Sequence, residues 1–200
     1  MPSIPSALDL LSELISINSA NASMGTDNPG EAEYARYVAD YGERFGAHVS
    51  LTEALPGRPN VLLRLPATAA RASTPLPRLL FDIHLDTVPL EPMPNATTPR
   101  IADGRLWGRG ACDTKSSMAS VLVALHRLAE SGAPRAGEIL ILGSVDEEYQ
   151  KRGIAHAVAS GMCHGVTAAV VGEPTALQPV IAHKGAVRWR IRTAGKAAHT

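Results

Sequence analysis

The chain has 200 residues, 45% of them hydrophobic, which is enough for one sizeable core and at most a second, incomplete domain. Its 19 basic and 19 acidic residues cancel, so no overall field favours nucleic acid or an anionic membrane surface, and a small molecule or peptide is the expected partner. The start, Met1-Pro2-Ser3-Ile4-Pro5-Ser6, has no basic segment followed by an apolar run, and no stretch approaches the roughly 20 apolar residues that span a bilayer, so the expected location is cytoplasmic.

Leu8, Leu11, Leu14 and Ile15 follow a helical period behind Ser6, which is suited to cap the helix, with Asp9 three residues on. A second helix is expected over 31–45, where Tyr34, Tyr37, Val38, Tyr41 and Phe45 form one stripe and Gly46 offers the stop. Short β-rich runs come next, at 49–52, 61–65 and 79–84, the last two separated by a Pro/Ala/Ser-rich loop. Residues 114–130 read as a helix ended by Gly132, followed by a strand at 138–145, a helix near 154–160 and a strand at 168–171. Strands that alternate with helices and are continuously apolar indicate the α/β class, a largely parallel central sheet with helices on both faces. Residues 186–193 then alternate apolar and polar as a half-exposed strand would. The expected division is a first domain over 1–184 and the truncated start of a second domain over 185–200.

Acidic and histidine residues recur where these strands end, the place at which open α/β sheets put ligand sites. Cys112 and Cys163 are far apart and show no Cys-x-x-Cys spacing, so any metal is expected to be held by nitrogen and oxygen. His84 and Asp86 bracket Leu85 at the end of an apolar run and, at a strand period of two, share a face. Asp113 follows Trp107-Gly108-Arg109-Gly110-Ala111-Cys112 and precedes a helix, where it could serve a site or merely cap the helix. Glu147 and Glu148 follow Asp146 at a strand end; being adjacent, one can face a metal and the other a reacting water. Glu173 stands in a Gly-Glu-Pro turn after a wholly apolar strand, suited to a functional carboxylate or to an ordinary turn.

Taken together, Leu-Phe-Asp-Ile-His-Leu-Asp-Thr-Val-Pro, Trp-Gly-Arg-Gly-Ala-Cys-Asp-Thr-Lys, Asp-Glu-Glu-Tyr, Val-Val-Gly-Glu-Pro-Thr and Ala-His-Lys-Gly resemble the acetylornithine deacetylase, succinyl-diaminopimelate desuccinylase and carboxypeptidase G family. The resemblance implies two zinc ions, with cobalt or manganese also compatible with such donors. His84 then binds one ion, Asp113 bridges two, Glu148 serves the second, and Glu173 binds the first ion or its neighbour. Asp86 matches the carboxylate that orients the ligand His, and Glu147 the general base. His199 matches a lid-domain His that steadies the oxyanion across a homodimer. A further zinc-binding His of the family falls beyond Thr200, and Ile83, Ser116 and Ser117 stand where smaller residues are usual.

The implied reaction is attack of a zinc-activated water on the amide of a small N-acyl amino acid, with Glu147 acting first as base and then as acid. A carboxypeptidase or dipeptidase of the same family is the alternative activity. A non-catalytic truncated or metal-binding remnant is the alternative of another class. His48, His126, His156 and His164 fall outside the pattern and are expected to be surface or structural.

Overall fold

The computed structural model describes residues 4–69, 76–185, 187, 189 and 191–195. The first helix, α1 (Ala7–Ser16), starts as expected: the Ser6 hydroxyl oxygen accepts the Asp9 N–H at 3.1 Å. It buries Leu10, Leu11, Leu14 and Ile15, each worth about 1.5–3 kcal/mol when fully removed from water. Helix α2 (Ala32–Arg44) buries Tyr34, Val38 and Tyr41 along one stripe and ends before Gly46, whose φ of 76° suits a residue without a Cβ.

Strands β1 (His48–Leu55), β2 (Arg58–Leu65) and β3 (Arg78–His84) follow in the order expected, each somewhat longer than its apolar run. A hairpin of β4 (Arg100–Ala102) and β5 (Arg105–Trp107) comes next. The sequence reading did not assign it, although Asp103 and Gly104, with φ of 53° and 69°, form the Asp-Gly turn that marks such hairpins. Then come α3 (Lys115–Glu130), β6 (Glu138–Ser144), α4 (Arg152–Ala159) and β7 (Ala168–Val171).

The main sheet has the order β1-β2-β6-β3-β7. Strands β3, β6 and β7 run parallel, while β2 is antiparallel to both β6 and β1, so four of the five strands share a direction and only β2 opposes it. Helices cover both faces. One face packs Val61, Leu63, Ile83 and Ile141 under α1, α2 and α3; the other packs Leu80, Leu140 and Leu142 against Ala157 of α4. The alternation of Leu140, Ile141 and Leu142 between the two clusters is the period of two expected of a strand buried on both sides.

Among the described residues β7 pairs only with β3, and its Val170 and Val171 are 48% and 60% exposed. The strand expected over 186–193 does not form among its described residues, 187, 189 and 191–193; its remaining positions lie outside the described residues. No helix among the described residues is long and apolar enough to cross a membrane.

Candidate metal centre and active site

The register of the parallel strands assembles the site. His84 ends β3 opposite Ser144 of β6, so the turn carrying Asp146, Glu147 and Glu148 leaves the sheet beside Leu85 and Asp86. On the other side, Asp82 lies opposite Val171, and the Gly172 N–H donates to the Asp82 carbonyl at 2.9 Å, which sets Glu173 beside His84. Gly172 is required at this close approach: a Cβ there would lie 2.8 Å from Ile83 Cγ1 and 2.9 Å from Ser117 Cβ. Ile83 itself is 1% exposed and belongs to the core, so it does not crowd the site.

His84 is buried. Its Nδ1 meets the backbone carbonyl of Asp86 at 2.8 Å, and its Nε2 lies 2.9 Å from Asp113 Oδ1 and 3.8 Å from Glu173 Oε1. Asp113 therefore does not cap α3, whose N-cap residue is Thr114; its carboxylate turns to the histidine instead. One donor atom each from His84, Asp113 and Glu173 lie within 4.8 Å of one another. Ligands about 2.1 Å from a tetrahedral ion are roughly 3.4 Å apart, so this trio fits a single divalent cation.

Electrostatics point the same way. Burial works against a charged His84, but the hydrogen bonds of Asp113 and Asp86 and the charges of Asp86 and Glu173 outweigh it and push the imidazole up to about 10. The carboxyl of Glu148 is raised by burial and by Asp113, Asp86 and Glu173, with His84 opposing. A crowd of acids that raise one another is relieved by a bound cation.

Asp86 faces the His84 ring with two atoms: its backbone oxygen lies 2.8 Å from Nδ1 and its carboxylate Oδ1 3.5 Å from it. That carboxylate accepts the N–H groups of Glu147 and Glu148 at 2.9 and 3.0 Å, and so positions the acidic turn. Glu147 forms an ion pair with Lys151 four residues on, just before α4. His199 lies outside the described residues.

Sequence reasoning missed the polar groups beneath the site. Lys115 is buried under α1 and donates to the Leu14 and Ile17 carbonyls at 2.8 and 2.6 Å, tying the end of α1 to the start of α3; burial lowers its amine to about 7. Asn21, Glu31, Arg58 and Asp146 are also buried and joined to one another. Only Asp146 carried a signal, as an acid at the end of an apolar strand. His126 proves structural, packed on the rings of Tyr41 and Phe45.

A cation-ready cluster at the carboxyl ends of parallel strands in an α/β sheet is the arrangement of a metal-dependent hydrolase. The profile of Peptidase family M20/M25/M40 matches residues 80–196, more than half of the chain, and the chain belongs to that family of metal-dependent hydrolases. The acetylornithine deacetylase of Aliivibrio fischeri (strain MJ11) is 30% identical over 201 residues, covering 98% of this chain and 50% of its own length. Human carnosine dipeptidase 1 superposes with a TM-score of 0.70 at 20% identity, over 82% of this chain and 38% of that one. A Bacillus subtilis protein described as a dinuclear metal binding peptidase of the M20 family superposes with a TM-score of 0.56 at 15% identity, over 82% and 41%. The chain spans about half the length of the curated relatives it matches.

Proposed function

We propose that the protein hydrolyses the amide bond of a small N-acyl amino acid with the help of two divalent metal ions, zinc foremost. The observation that carries this reading is the convergence of His84, Asp113 and Glu173 within 4.8 Å, beside a turn that bears two further carboxylates. His84, Asp113 and Glu173 would hold the metal, and Glu148 would be a further ligand. Bound there, the ions supply Lewis acidity and a water acidic enough to ionise near neutrality.

The chain's own residues do the rest. Asp86 fixes the His84 ring through its carbonyl, leaving Nε2 free to coordinate, and holds the Glu147 and Glu148 backbone with its carboxylate. Glu147 takes the proton from the attacking water as the new C–O bond forms. It returns that proton to the nitrogen as the C–N bond breaks, yielding a carboxylic acid and a free amine. To His199, which lies outside the described residues, the reading assigns the steadying of the oxyanion.

The 30% identity to an acetylornithine deacetylase along 98% of the chain supports the deacylase reading, and a carboxypeptidase or dipeptidase activity of the same family is its alternative. The test is amine release by the protein at the length its gene encodes, loaded with zinc, from a panel of N-acetyl amino acids, including N-acetylornithine, and of dipeptides. Faster turnover of the acetyl series supports the reading. Faster cleavage of dipeptides selects the dipeptidase, and turnover of neither sinks both.

A further inference from the structure

Asp146, in the turn between β6 and α4, has a φ of 67°, in the left-handed region that is uncommon for residues other than glycine, and its contacts hold it there. Its carboxylate accepts hydrogen bonds from Arg58 Nη2 at 3.3 Å, Asn21 Nδ2 at 3.3 Å, Ser23 Oγ at 3.1 Å, and Arg152 Nε and Nη2 at 2.7 and 3.1 Å. Its N–H donates to Glu31 Oε1 at 3.1 Å. Arg58, at the start of β2, holds Glu31 with a two-pronged pair of 2.5 and 2.6 Å and also donates to Asn21 Oδ1 at 3.0 Å. Asn21 in turn donates to Asp86 Oδ2 at 2.7 Å.

Glu147 and Glu148 are thus gripped from two directions: Asp86 holds their N–H groups, Asp146 fixes the backbone that precedes them, and one guanidinium reaches both arms. Glu31 and Asp146 are 0% exposed and Arg58 is 7% exposed, so the charges have no water to replace a lost partner. Glu31 is the N-cap residue of α2 and Arg58 starts β2, and neither element contributes a residue to the metal cluster. Nothing in the chemistry of amide hydrolysis requires a guanidinium here, whereas a turn that must aim two adjacent carboxylates at different tasks does require a rigid frame.

We infer that Arg58 is a positioning residue for Glu147, acting through Asp146 on one side and through Asn21 and Asp86 on the other. The inference rests on the reading of Glu147 as the proton carrier. Lysine at this position keeps the charge but not the planar fork, so it cannot hold Glu31 with two prongs and still reach Asn21 and Asp146.

The experiment is a double-mutant cycle on the zinc-loaded protein at its encoded length, combining Arg58→Lys with Glu147→Gln and measuring kcat, KM and thermal stability for all four forms. The expected result is a fall in kcat of more than about tenfold for Arg58→Lys alone, at a KM within about threefold of the parent. In the Glu147→Gln background the same substitution is expected to change kcat by less than about twofold, while lowering thermal stability equally in both backgrounds. An unchanged kcat per folded molecule overturns the inference and leaves Arg58 as a stability element only; an equal fall in both backgrounds also overturns it, in favour of a frame that serves Glu148 and not Glu147. If Glu147→Gln itself leaves kcat unchanged, it is the assignment of the proton carrier that fails. Should Arg58→Lys not fold, Asn21→Ala carries the same cycle, since it cuts the bridge to Asp86 without removing a charge.

Discussion

Asp113 places its carboxylate 2.9 Å from Nε2 of His84, although 29 residues and a β-hairpin separate the two. With Nδ1 committed to the Asp86 carbonyl, the outward nitrogen is the one free to share a cation with a neighbouring acid.

Metal affinity follows from that pairing. His84→Ala and Asp113→Ala are each expected to weaken divalent-metal binding on the order of a hundredfold or more in competition with a chromophoric chelator, beyond the 10–100-fold typical of residues that merely support a ligand. Asp86→Asn, which supports rather than binds, is expected to fall within that lower range. Equal affinity in all three variants would place the metal elsewhere.

For Glu147→Gln the expectation is a loss of kcat of about 10²–10⁴-fold, the usual worth of a positioned acid–base group, with the metal content unchanged. Atomic absorption alongside steady-state kinetics separates the two quantities. Loss of metal together with activity would make Glu147 a ligand.

Asp146 sets an acid limit on stability. Burial alone would raise its carboxyl, but the hydrogen bonds from Arg152, Ser23 and Asn21 outweigh it and hold the group down at about 2. A carboxyl whose folded pKa is depressed adds stability that is fully present above its unfolded value near 3.9 and is lost as pH falls to the folded value. Over the window from about pH 5 to pH 2 that contribution is about 2 kcal/mol. Denaturant titrations should therefore show the gap between the parent and Asp146→Asn closing across this window, and a gap independent of pH would refute the assignment.

Gly153 lies against the turn that carries the acids. A Cβ at this position would sit 2.3 Å from the Val145 carbonyl oxygen and 2.4 Å from its nitrogen, both backbone atoms that cannot swing aside. Asn60 stitches the same segment, donating to the Gly153 carbonyl at 2.8 Å and accepting the Val145 N–H at 3.1 Å. Gly153→Ala is expected to cost about 3 kcal/mol of stability by chemical denaturation, despite the better helix propensity of alanine. A neutral or stabilising result would show that α4 can shift away from β6.

Much of this protein is decided locally and is therefore readable in the sequence. Ser6 with Asp9 starts α1, the stripe from Tyr34 to Phe45 makes α2, and the apolar runs ending at His84, Ser144 and Val171 make three parallel strands, because caps and periodicity act over a few residues. His84, Asp113, Glu148 and Glu173 could be singled out for the same reason, each standing beside a strand end or a helix start. Only the tertiary structure decided that Asp113 turns to His84 instead of capping α3, and that the Asp86 carboxylate beside the histidine also holds the Glu147–Glu148 turn. The buried set of Asn21, Glu31, Arg58 and Asp146 likewise joins positions as much as 125 residues apart. A buried charge must find its partner wherever strand register brings one, and register depends on which strands become neighbours, which no local pattern specifies.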